Sequence, residues 1–161
     1  MNEMDKEVKS YRLRRWINII VIVLVIIIAT LFFVFNGKYV VTFKNDTANS
    51  AFVIKGHDSN FAFNIKYEDI NGVYYYHEFE IGEEINKNSK QGLTWGVFRN
   101  EDFKEYKLIA LDKVNEYIAI IDNSDSKYVF NYSSGDETKS LYSSIIDFLN
   151  KQNLTFNSGE N

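Results

Sequence analysis

The chain has 161 residues, with 18 Lys+Arg against 22 Asp+Glu, and contains neither cysteine nor proline. The missing cysteines exclude disulfides, a lipoprotein-type thioether anchor and palmitoylation, so packing alone must hold any fold. Met1–Asn36 carries five Lys+Arg and three Asp+Glu, whereas the remainder carries thirteen and nineteen; this acidic balance disfavours nucleic-acid binding, which needs clustered cations on phosphates, and attraction to anionic lipid headgroups.

Ile17 to Phe35 forms an uncharged stretch of nineteen positions in which only Asn18 and Thr30 are polar. At about 1.5 Å per residue a helix of that length reaches roughly 28 Å, near the ~30 Å of a bilayer's hydrocarbon core. The stretch predicts one transmembrane helix over residues 16–36, with Trp16 at its interface. A cleaved signal is disfavoured, because its apolar run is shorter and ends in small residues. Lys6, Lys9, Arg12, Arg14 and Arg15 precede the stretch, and only Lys38 and Lys44 follow it closely. Positive-inside counting therefore predicts a cytoplasmic basic tail over residues 1–15, a single-pass signal anchor in the cell membrane, and an extracytoplasmic C-terminal domain.

Beyond the apolar stretch the pattern changes to period two, the signature of half-buried strands. Phe61, Phe63, Ile65 and Tyr67 fall on one face with Ala62, Asn64 and Lys66 on the other, and Tyr39, Val41 and Phe43 share a face in the same way. Ala51–Lys55, Val73–Ile81, Gly96–Asn100, Tyr106–Asp112, Glu116–Asp122 and Lys127–Tyr132 are further expected strands. Asn45-Asp46-Thr47, Gly56-His57-Asp58-Ser59-Asn60, Asn71-Gly72 and Asp122-Asn123-Ser124-Asp125 supply turn residues for antiparallel hairpins. Glu83–Thr94 is polar without alternation and reads as a long loop leading into Trp95.

Leu141, Ile145, Phe148 and Leu149 recur at i, i+4, i+7 and i+8, which predicts an amphipathic helix from about Asp136 to Lys151. Ser134-Gly135-Asp136-Glu137 fits a capping box at its start. Residues 37–152 are thus expected to form one mainly-β domain closed by a C-terminal helix, and residues 153–161 a flexible tail.

Ile65-Lys66-Tyr67-Glu68-Asp69-Ile70, Gly96-Val97-Phe98, Tyr117-Ile118-Ala119-Ile120, Lys127-Tyr128-Val129-Phe130-Asn131 and Asp136-Glu137-Thr138-Lys139-Ser140-Leu141-Tyr142 together resemble the bacterial pleckstrin-homology-like domains of membrane-linked proteins in Gram-positive bacteria. The resemblance implies a partly open barrel of about seven antiparallel strands capped by the C-terminal α-helix, and it implies no catalytic activity. Eukaryotic proteins of that fold hold inositol phosphates on basic residues around the first hairpin. Here that hairpin offers only Lys44 and Lys55, so phosphoinositide binding is disfavoured.

The search for chemistry returns no catalytic set. His57 and His77 are the two histidines, and neighbouring His77 and Glu78 of an extended strand point to opposite faces, so no metal site is expected. The acid pairs Glu83-Glu84 and Glu101-Asp102 lie in polar surroundings that would not tune a proton donor. Asp122, Ser124 and Ser126 are spaced like calcium ligands but lack the glycine and distal glutamate of an EF-hand loop, which favours a hairpin turn. No cofactor is expected. Tyr74 and Tyr76, alternating with Tyr75, are expected on one face with Glu78 and Glu80, and together with Trp95 they are the expected partner-contact residues. These observations predict a non-enzymatic, membrane-anchored binding or scaffold module with a protein or peptide partner. The alternative is an exported immunity or sensing protein acting against a cell-surface agent.

Overall fold

A computed structural model describes residues 15–30, 40–56, 61–90 and 92–161. The chain divides into two units, Met1–Lys38 and Tyr39–Asn161. In the first, residues 15–30 form a helix, α1, whose apolar side chains from Trp16 to Ile28 are exposed.

Among the described residues no helix is long and apolar enough to cross a membrane. This corrects the expectation of a single-pass signal anchor, and with it the membrane partner, the cell-membrane localisation, the cytoplasmic N-terminus and the extracellular placement of the second unit. Positions 31–35 of the expected span, and 1–14 of the expected basic tail, lie outside the described residues, as does the expected turn residue His57.

The described residues of the second unit form ten strands: β1 Val41–Asp46, β2 Ala51–Gly56, β3 Ala62–Lys66, β4 Ile70–Tyr76, β5 Glu83–Lys90, β6 Leu93–Asn100, β7 Lys104–Leu111, β8 Tyr117–Asp122, β9 Lys127–Phe130 and β10 Asn157–Glu160. One helix, α2, spans Gly135–Lys151 between β9 and β10. Strands β1-β2-β3 form an antiparallel sheet, and the order β10-β4-β8-β9-β7-β6-β5 makes a seven-stranded sheet. Two pairings in the larger sheet are parallel, β10 on β4 and β9 on β7. The mainly-β composition is observed, but an antiparallel three-stranded sheet and a seven-stranded sheet of mixed direction replace the expected barrel of about seven antiparallel strands, and a TM helix is not part of the described fold.

The larger sheet is covered on both faces, because its strands alternate between two apolar sets. Val73, Tyr75, Ile118, Ile120 and Phe130 join Phe52, Ile54, Phe63 and Ile65 of the smaller sheet and Tyr142, Ile145 and Leu149 of α2 in one core. Tyr106, Leu108, Ala110, Tyr117, Ala119 and Val129 face the other way and are roofed by Phe79, Ile81 and Phe103. At roughly 1.5–3 kcal/mol for each large buried side chain, these two clusters supply the main driving force in a fold without disulfides.

The start of α2 is fixed locally. Ser134 Oγ accepts the Glu137 N–H at 3.3 Å, and Thr138 Oγ1 donates to the Ser134 carbonyl at 2.7 Å while accepting the Tyr132 N–H at 2.9 Å. Ser134 therefore caps as the capping-box reading requires.

Candidate functional site

The structure separates the expected contact residues. Tyr74 and Tyr76 are half-buried on β4, on the face roofed by Phe79 and Phe103. Trp95 lies half-buried on β6 and packs on the opposite face, against the core shared with the smaller sheet. With β8, β9 and β7 between their strands, the three cannot form one contact patch.

The Tyr74 ring lies so close over Gly72 that a Cβ there would come within 2.7 Å of it. Tyr76 meets Phe79 and Phe103 edge-on, with centroids 5.5 and 5.8 Å away. The stripe of Tyr74 and Tyr76 with Glu78 and Glu80 does not form, because β4 ends at Tyr76 and the chain then leaves the sheet to place Phe79 over the second core. His77 is exposed just beyond the strand, edge-on to Tyr75 at 4.9 Å.

The acid pairs Glu83-Glu84 and Glu101-Asp102 are exposed. Among the described residues no group of three His, Cys, Asp or Glu is placed to hold a metal ion. Asp122 Oδ1 accepts the N–H groups of Ser124 and Ser126 at 2.8 and 2.9 Å, which makes a side-chain-capped hairpin turn of the Asp122–Ser126 segment. Burial holds the phenols of Tyr106 and Tyr117 above the usual tyrosine range, with Tyr117 adding to the shift at Tyr106 and the carboxylates of Asp112 and Glu116 to that at Tyr117.

Among the described strands, β5 and β10 form the margins of the larger sheet. The segment expected to be a loop, Glu83–Thr94, contains β5 and the start of β6. All eight residues of β5 are exposed, and the strand is paired to β6 alone. Its alternation was invisible because neither face is buried, so both faces are polar.

A bulge interrupts the ladder: Glu84 pairs Phe98 and Asn86 pairs Val97, leaving Ile85 as the extra residue, exposed at 46%. Opposite the bulge, Gly96 has φ +148°, and a Cβ there would lie 2.0 Å from the Asn86 carbonyl oxygen. Glycine is what lets β5 approach β6 here. Glu84 and Lys87 form an ion pair on the strand's surface. Beside it, a cleft of about 350 Å³ is lined by Gly82, Glu84, Lys87, Thr94, Asp112 and Tyr117 among others, and Thr94 Oγ1 donates to Asp112 at 2.7 Å on its wall.

The other margin is occupied. Residues 157–160, expected in a flexible tail, form β10, which lies parallel on β4 with Asn157 beside Gly72 and Glu160 beside Tyr75. Its own side chains are polar or absent. The Asn161 N–H donates to the Tyr75 carbonyl at 2.9 Å, Tyr142 Oη donates to the Gly159 carbonyl at 3.2 Å, and Lys139 pairs with Glu160 at 3.3 Å. This sheet therefore takes on a short polar strand through main-chain pairing. Comparison with known protein families, with curated proteins and with solved structures finds no match for the chain.

Proposed function

We propose that this chain is a non-enzymatic binding module that takes up an extended protein segment by strand addition along β5. One observation carries the reading: the eight-residue strand β5 stands exposed at the margin of the larger sheet, paired among the described strands with β6 alone. An incoming strand would pair with the alternate residues whose N–H and C=O groups point away from β6. Eight such bonds at a net ~1 kcal/mol each would give roughly 8 kcal/mol, reduced by the cost of ordering the ligand, which corresponds to micromolar or weaker binding. The main-chain capture of β10 on the opposite margin supports the reading, since the same sheet there uses the same bonding. Side chains of the added strand on one face would meet Glu84, Lys87 and the cleft behind them, where selectivity would arise.

The test uses peptides selected from a displayed random library against the full chain, then measured against Asn88→Pro and Ser89→Pro. Adjacent strand residues point their N–H groups to opposite sides, so one substitution removes an outward donor and the other a donor to β6. The reading expects at least one variant that keeps its fold by circular dichroism and loses peptide binding. Equal binding by both folded variants refutes it.

A further inference from the structure

Resting on that strand-addition reading, we infer that the occupant of the β5 margin is a second copy of this chain, paired antiparallel to the first through β5 itself. The strand reads Glu83-Glu84-Ile85-Asn86-Lys87-Asn88-Ser89-Lys90, acidic at its start and basic at its end. A sequence with that polarity is complementary to its own reversal. With Ile85 bulged out of the ladder, two copies related by a two-fold axis at Lys87 would set Glu83 directly opposite Lys90 of the partner subunit and Lys87 opposite its own copy. The same register places Glu84 opposite Ser89 of the partner subunit and diagonal to Lys87 of the partner subunit, so each acid meets a lysine. A parallel arrangement would instead stack Glu83 and Glu84 on their own copies and the lysines likewise, which like-charge repulsion opposes.

The geometry fits an isologous contact, in which one patch serves both partners. All eight positions are exposed, so no side chain of the strand must leave a core to make the contact. The bulge at Ile85 and the lysines are the devices that keep an exposed margin from pairing indiscriminately. They leave favoured a partner whose charges run in the opposite order, and the chain itself meets that condition. The ion pair between Glu84 and Lys87 within one strand is solvent-exposed and can be exchanged at little cost for the cross-chain contact.

The chain contains no cysteine, so single substitutions report the register without background. Full-length Glu84→Cys and Ser89→Cys chains carrying different tags are mixed and oxidised. Directly opposed residues lie about 4.5–5.5 Å apart at Cα, inside the range a disulfide spans, so the mixture should give the hetero cross-link. Glu84→Cys alone should give none, because its two copies would lie four ladder positions apart along the pair, roughly 14 Å.

A second pair of variants tests the charges. Glu83→Lys with Glu84→Lys, and Lys87→Glu with Lys90→Glu, should each remain monomeric by light scattering, and mixing them should restore the dimer. Circular dichroism matching the parent chain verifies the fold of each. A hetero cross-link absent from the mixture, or equally strong in Glu84→Cys alone, overturns the inference, as does failure of the charge variants to recombine. Selected peptides that bind β5 while the chain gives no cross-link would refute the second copy and leave strand addition standing; loss of both would refute the strand-addition reading itself.

Discussion

Replacing Asn131 with leucine tests how the polar interior supports the sheet on which β5 depends. Asn131 is fully buried just after β9. Its amide oxygen accepts the Leu111 N–H at 2.7 Å, and its amide nitrogen donates to the carbonyls of Leu111 and Val114, each at 3.0 Å. One side chain thereby ties the end of β7 and the segment that follows it to the strand order of the larger sheet. Leucine shares asparagine's branching and number of side-chain heavy atoms and is bulkier, so the substitution leaves little room for a replacement water. It strands one donor and two acceptors.

At about 1–3 kcal/mol for each buried group left unpaired, with carbonyls near the lower end, the loss is roughly 3–5 kcal/mol. Against a total of about 5–15 kcal/mol, that removes a large share of the stability. Urea denaturation followed by far-UV circular dichroism measures it. With a slope near 1–3 kcal/mol per molar for a domain of this size, the midpoint should fall by roughly 1–3 M without a change of slope. A loss below about 1 kcal/mol would refute the assignment of these three bonds as structural. Asn131→Asp refines the measurement, because a carboxylate would face two carbonyls at neutral pH; its deficit should shrink on acidification, when the protonated group can donate once more.

Gly96→Ala forces a left-handed backbone position and a Cβ contact of 2.0 Å with the Asn86 carbonyl, so amide exchange across β5 and β6 should accelerate while α2 keeps its protection; uniform protection would contradict the role given to Gly96. Alkaline pH should destabilise the second unit. Burial raises the folded-state phenol pKa of Tyr75, Tyr106, Tyr117 and Tyr142 above the unfolded value. Stability from these groups is complete below pH ~10, where the unfolded phenols ionise, and is lost progressively as pH rises beyond that toward the folded values. Thermal midpoints measured alongside phenolate absorbance should fall together above pH ~10, and a flat midpoint through the absorbance change would contradict the burial argument.

A strand with one buried face was readable, since Phe63 and Ile65 on β3 alternate with exposed residues as burial dictates. So was α2, whose stripe and Ser134 cap act locally. What escaped has a physical cause in each case. β5 carries no alternation because neither of its faces is buried, and β10 is four polar residues placed by β4 rather than by their own preference. The parallel pairing of β9 with β7 depends on the whole sheet and leaves no local trace.

Val73–Ile81 read as one strand because its apolar residues continue at period two, but the chain turns out of the sheet after Tyr76 so that Phe79 can roof the second core. The apolar stretch near the N-terminus reads by composition as a span, whereas no helix among the described residues is long and apolar enough to cross a membrane. The contact residues suggested by aromatic content, Tyr74, Tyr76 and Trp95, fall on opposite faces of the sheet. The signal that could have found β5 is its charge order, two acids followed by two lysines across a segment free of proline.

Amide hydrogen exchange of the full chain, alone and saturated with a peptide selected for binding, tests strand addition most directly. The account predicts new protection at alternate amides of β5, with β10 and the three-stranded sheet unchanged. Protection appearing on β1–β3 or on β4, with β5 exchanging as fast as before, would contradict it.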